Sequence, residues 1–180
     1  MLDNLNYSFI QNLSQSEKNY NVFCSTKSLY YTCLHMRLSS AFHSTQLVDI
    51  FAYEMPTYLP DNSFSSDKSS ASVVVYNFHS LISQDRFFLF FQPGLSHGGH
   101  HLSQLSSITE LFSAANWLER EVSELSGISF SGKKDLRNLM LQYGDSSSPF
   151  QKSFPTIGLR EMFYDPLKDT IIQNPVSLQL

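Results

Sequence analysis

At 180 residues the chain has the length of one domain, and its 42% hydrophobic and 14% aromatic content excludes a disordered polymer. The formal charge of −4, with only 12 Lys and Arg, excludes a nucleic-acid binder, which needs cations to displace phosphate counterions. Two cysteines, Cys24 and Cys33, are too few for a disulfide framework or for the thiolate set of an iron–sulfur cluster, and read as small buried hydrophobes. Charged residues reach only 16%, against ~25% in ordinary soluble domains. A surface this poor in charge predicts that partners cover part of it.

In chain order, Leu2, Leu5, Phe9 and Leu13 recur at helical steps and predict an amphipathic helix over 3–18. The start lacks both the plan of a signal peptide and that of an Arg-rich transit peptide, which predicts a protein that works where it is made. Alternation over 20–23 predicts a strand, and Tyr30, Cys33, Leu34, Arg37 and Leu38 predict a helix over 27–38. Residues 46–54 form a strand ended by Met55-Pro56, and the Ser/Asp/Pro stretch 57–70 is a loop. The β-branched and aromatic runs 71–78 and 86–92 predict an antiparallel hairpin. No apolar run reaches the ~18 residues needed to cross a bilayer.

Residues 93–104 are a Gly/His/Ser loop. Ser107-Ile108-Thr109-Glu110 fits a capping box, and Leu118, Val122 and Leu125 share one face of a helix over 114–125 that Gly127 ends. Arg120 stands four residues before Glu124, a spacing that favours an ion pair. From Pro149 onward, four prolines and Gly158 exclude a long helix, and 159–164 with 170–174 predict a small hairpin. The expected fold class is α+β: a small mixed sheet with helices packed on one face, followed by an extended irregular C-terminal tail. The expected division is an α+β domain over 1–148 and a partner-binding tail over 149–180.

Three patterns invite a chemical reading. His97, His100 and His101 lie in one loop, yet no Asp, Glu or Cys stands close enough to complete a zinc site, so a solvated loop is favoured. The run from Gly127 to Lys134 nearly matches a phosphate-binding loop. However, Lys134 occupies the place of the magnesium-binding Ser or Thr, and the run follows a helix instead of opening one. Ile128 and Phe130 then read as core anchors. Of Glu119, Glu121 and Glu124, only the last two share a helix face, and the group reads as a charged helix surface, not as a pair of catalytic carboxylates flanking a cleft.

The run Ala115-Asn116-Trp117-Leu118-Glu119-Arg120-Glu121-Val122, continued by Ser123-Glu124-Leu125-Ser126-Gly127-Ile128, resembles the NADH dehydrogenase subunit 9 family. So do Lys133, Asp135-Leu136-Arg137, Tyr143-Gly144, Pro149, Lys152, Phe154-Pro155, Gly158, Glu161 and Tyr164-Asp165. Weaker similarity reaches upstream through Leu47, Asp49, Ala52-Tyr53-Glu54, Val75-Tyr76, Ser80 and Arg86. Ser123, Ser126, Lys133-Lys134, Asp145, Ser148 and Ser153 depart from the family pattern.

The resemblance implies a core subunit in the peripheral arm of respiratory complex I, on the matrix side of the mitochondrial inner membrane. It implies packing against the quinone-site subunit, and a chain with no cofactor, metal or catalytic residue of its own. FMN and iron–sulfur clusters are expected in partner subunits. A Phe-, Tyr- and Ser-rich composition suits an AT-rich organelle genome. Partner contacts are expected at Glu119, Arg120, Glu121, Arg137, Tyr143, Phe154, Pro155 and Gly158. The alternatives are a scaffold subunit of a related membrane-bound hydrogenase-type complex, and a metal-dependent enzyme using the His97 loop.

Overall fold

The computed structural model describes residues 8–10, 19–39, 45–56, 70–82, 84–92 and 104–177. Strands β1 (Ser8–Ile10), β2 (Asn19–Cys24), β3 (Thr45–Pro56), β4 (Ser70–Ser80) and β5 (Arg86–Phe91) form one sheet in the order β1-β2-β5-β4-β3. β3, β4 and β5 pair antiparallel in succession, β2 runs parallel to β5, and β1 runs antiparallel to β2. Helix α1 (Leu29–Leu38) follows a 3₁₀ turn at Thr26–Ser28. The sheet is mixed and the class is α+β, as expected.

Alternation in the strands decides which side chains enter the core. Val22, Leu89, Tyr76 and Ile50 share one row across four strands, with Phe91 and Val74 in the next. All six are buried against α1 and α2 (Ala115–Ser126) in one cluster with Leu29, Cys33, Ile108 and Val122. Burying each large apolar side chain returns about 1.5–3 kcal/mol. A bulge between Leu47 and Asp49 re-aims β3 at the sheet edge.

Two expectations fail locally. Ser8–Ile10 is a strand, so the helix predicted over 3–18 is broken: ladder bonds to β2 outweigh the helical spacing of Leu2, Leu5, Phe9 and Leu13. The Ser107–Glu110 box starts no helix, because α2 begins only at Ala115. The loop holding His97, His100 and His101 lies outside the described residues.

Short strands β6 (Gln104–Ser106) and β7 (Ser129–Ser131) pair in parallel and bracket α2. Ile128 and Phe130 are buried anchors, as the sequence suggests. Gly127 ends α2 at φ +71, and a Cβ there would meet Gln151 Nε2 at 2.5 Å. Its glycine therefore serves both the left-handed turn and the close approach of the following chain. The tail turns at Gln151, Phe154 and Gly158, each N–H bonding the carbonyl three residues back, before the antiparallel hairpin β8 (Arg160–Asp165)–β9 (Thr170–Pro175). Among the described residues, no helix is long and apolar enough to cross a membrane.

Candidate functional site

The residues singled out by sequence converge on α2 and the chain that wraps it. The helix buries Ala115, Glu119, Val122 and Ser126 along one line, while Leu118 and Leu125 are only half-buried. Glu119 was expected toward a partner, but it is 0% exposed. Its Oε1 accepts the Ile108 N–H at 2.8 Å, and its Oε2 accepts the Ser107 hydroxyl at 2.7 Å and the Lys133 ammonium at 3.1 Å. Lys133 also donates to the Asn116 carbonyl at 2.8 Å. The lysine of the near phosphate-binding run is thus the internal counter-ion of Glu119. A buried carboxylate is tolerated here because its charge and both oxygens are matched.

Arg120 and Glu124 were expected to pair along the helix, but each holds backbone instead. Arg120 donates from Nε to the Arg137 carbonyl at 2.8 Å and from Nη2 to the Asn138 carbonyl at 3.1 Å. Its Nη1 lies 3.6 Å from Asp135, and its guanidinium lies over the Trp117 ring at 5.7 Å. Glu124 accepts the N–H groups of Leu139, Met140 and Leu141 at 2.9, 2.6 and 3.3 Å. Unpaired loop amides and carbonyls are stronger claimants on a charged group than a solvated ion pair one turn away.

Arg137 forks onto Asp135 at 3.0 and 2.9 Å, and these bonds hold the Asp135 carboxyl well below the usual carboxylate range. The loop so fixed presents Leu136, Met140 and Tyr143 outward, Tyr143 at 83% exposure. Glu121 is half-buried on α2, Phe154 is half-buried in the tail, Pro155 is exposed, and Gly158 takes φ +76 to close the turn on the Pro155 carbonyl. A cavity of about 260 Å³ lies between α2 and this loop. Arg120 and Glu124, on its wall, are both committed to backbone groups of that loop.

Sequence reasoning missed the inner row of the sheet as a polar neighbourhood. Tyr76 is fully buried and its hydroxyl has no hydrogen-bond partner among the described residues. Burial, then the charges of Glu119 and Cys33, push its ionisation well above normal. Burial likewise pushes the Cys33 thiol up. Among the described residues, no three His, Cys, Asp or Glu side chains gather as metal ligands.

This arrangement fastens backbone and displays apolar side chains. Residues 22–159 match the family described as respiratory-chain NADH dehydrogenase, 30 Kd subunit. The NADH-ubiquinone oxidoreductase 30.4 kDa subunit of Neurospora crassa is 31% identical over 94% of this chain and 54% of its own length. NADH-ubiquinone oxidoreductase subunit 9 of Paramecium primaurelia is 39% identical over 63% of this chain and 51% of its own. The chain therefore spans about half the length of these curated relatives. A chain of the membrane-bound sulfane sulfur reductase, an archaeal respiratory membrane complex, shares the fold at a TM-score of 0.64 and 13% identity, over 84% of this chain and 78% of that one. With the match running from β2 through the turn that precedes β8, the chain belongs to the family of the 30 kDa subunit of respiratory-chain NADH dehydrogenase.

Proposed function

We propose that this chain is a cofactor-free structural subunit in the peripheral arm of a respiratory NADH:ubiquinone oxidoreductase, on the matrix side of the mitochondrial inner membrane. In this reading it supports electron transfer from NADH to ubiquinone by packing against the quinone-site subunit, while FMN and iron–sulfur clusters reside in partner subunits. Arg120 and Glu124 act from within, by fixing the loop that carries Arg137 and Tyr143. Glu121, Phe154, Pro155 and Gly158 belong to the same contact surface.

The observation that carries this reading is the β8–β9 hairpin. Phe163 pairs with Ile172 on one face, and Tyr164 with Ile171 on the other. Phe163, Tyr164 and Ile171 are exposed, as are Met162 and, at 96%, Leu167 at the tip. An isolated two-stranded hairpin is marginal in water, and this one makes its main contacts within itself. Fixing each residue costs roughly 1–2 kcal/mol of backbone entropy, so a second surface must supply the apolar burial.

Limited proteolysis tests the reading. The isolated chain should be cut first within 150–177, and the same bonds should be protected in the assembled complex. Equal protection in both states would show that the hairpin needs no partner. Flavin or iron at one equivalent per purified chain would overturn the cofactor-free assignment.

A further inference from the structure

A groove of about 530 Å³ lies where the end of α1 meets the start of β3, the β4–β5 turn and residues 111–114. Its walls include Leu47, Leu81, Leu111 and Phe112, and Arg37 stands at its rim. Phe112 is seated on the core, with its ring 5.2 Å from that of Phe78. The Arg37 guanidinium lies over the Phe112 ring at 5.7 Å. Stacking fixes the cation in place while leaving its in-plane N–H donors available. The ion pairs among the described residues use Arg120, Lys133 and Arg137, and none uses Arg37. Leu81, on the groove wall, is exposed.

A groove lined by Leu47, Leu81, Leu111 and Phe112 with Thr45 and Gln46, and carrying a pre-placed guanidinium that makes no ion pair among the described residues, is complementary to a carboxylate flanked by bulky apolar groups. We propose that this groove docks a partner polypeptide segment in which an Asp or Glu is flanked by large apolar residues. The proposal rests on the reading of the chain as a subunit of a respiratory complex, and it adds an attachment point separate from the loop after α2 and the β8–β9 hairpin.

A polypeptide fits better than an anionic lipid surface, because the chain carries a net charge of −4 and the groove offers a single cation. A second copy fits poorly, because a two-fold contact centred on the groove would set Arg37 against Arg37. Sequence alone hides the site. Arg37 looks like one more solvated residue at a helix end, and only the fold brings Phe112, some seventy-five positions later, beneath it.

The test places the photo-cross-linker p-benzoylphenylalanine at position 81, where Leu81 is 55% exposed, and irradiates the intact complex. The expected product is one adduct to a peptide of another subunit that carries an Asp or Glu beside apolar residues. Arg37→Glu should lower its yield by about fivefold, the upper end for an exposed ion pair. Arg37→Lys should keep most of it, and reversing the partner's acid to Arg should restore it in the Arg37→Glu background. An adduct to lipid, to a second copy or to nothing overturns the proposal, as does a yield indifferent to Arg37→Glu. Co-migration of the chain with the complex on native gels separates the two readings. An assembled complex without the adduct sinks this proposal alone, whereas a wild-type chain that never enters the complex sinks the proposed function.

Discussion

Replacing Lys133 by Met removes the buried ion pair together with the ammonium's bond to the Asn116 carbonyl. Met keeps the length and apolar stem of Lys but removes the ammonium that lies 3.1 Å from Glu119 Oε2. The lysine and glutamate side chains are 1% and 0% exposed, so water cannot take over the role of the lost charge. Glu119 would keep the Ile108 N–H and the Ser107 hydroxyl, two neutral donors facing an uncompensated buried carboxylate. Breaking such a pair from one side costs about 3–5 kcal/mol. For a domain of this size that lowers the melting midpoint by roughly 6–20 °C.

The control is Lys133→Met combined with Glu119→Gln. Gln can still accept the Ile108 N–H, and with no charge left in the core the double variant should recover most of the loss, to within about 1.5 kcal/mol of wild type. Urea unfolding of the purified chain, followed by far-ultraviolet circular dichroism, measures all three. The reasoning fails if Lys133→Met unfolds within about 1 kcal/mol of wild type, or if the double variant is no more stable than the single.

Glu124→Ala removes the acceptor of three backbone N–H groups. Amide exchange at Leu139, Met140 and Leu141 should accelerate by about tenfold or more, a change of ~1.4 kcal/mol or above in local opening, measured by mass spectrometry. Tyr76→Phe deletes a buried hydroxyl that has no partner among the described residues, so stability should hold or rise by up to about 1 kcal/mol in thermal melts. A loss above that would mean that the hydroxyl makes a bond. Asp135 has a folded-state pKa below its ordinary value of 3.8, chiefly through its bonds to Arg137. Its contribution is therefore present above pH 3.8 and fades as the pH falls toward the folded-state value. The stability gap between wild type and Asp135→Asn should shrink on acidification through this range in urea titrations; a constant gap would count against the assignment.

Much of the fold is legible from local chemistry. The β4 and β5 segments stand out as continuous β-branched and aromatic runs, Gly127 stands where a left-handed helix end needs it, and Ile128 and Phe130 flank a serine as inward anchors. What escapes local reading is polar chemistry satisfied across distance. The Ser107–Glu110 pattern has the residues of a capping box, yet Ser107 and the Ile108 N–H are served by Glu119, twelve and eleven positions on. Arg120 and Glu124 have helical ion-pair spacing, but residues 135–141 wrap the helix and bring backbone groups that bind them better. Glu119 reads as surface because charge usually is. The available signal was its place in line: Ala115, Glu119, Val122 and Ser126 follow i, i+4, i+7, i+11, which sets Glu119 on the buried stripe.

Placing these charges inside the chain changes what α2 contributes to assembly. If Arg120 and Glu124 met a partner directly, their truncation would remove interface bonds. Here both are committed to residues 137–141, so the helix acts one step back, by holding the loop that displays Leu136, Met140 and Tyr143. Much of the ordering cost of that loop is met before binding, which favours affinity without added contact area. Among the described residues the β8–β9 hairpin lacks comparable fasteners: its side-chain bonds, Tyr164 to Asp169 and the Leu167 N–H to Asp165, stay within the hairpin. Its ordering against a partner must be drawn from the binding energy itself. In the proposed subunit role the two parts of the C-terminal surface would therefore divide the work, with the clamped loop offering a preformed first contact and the hairpin adding burial once a partner lies alongside.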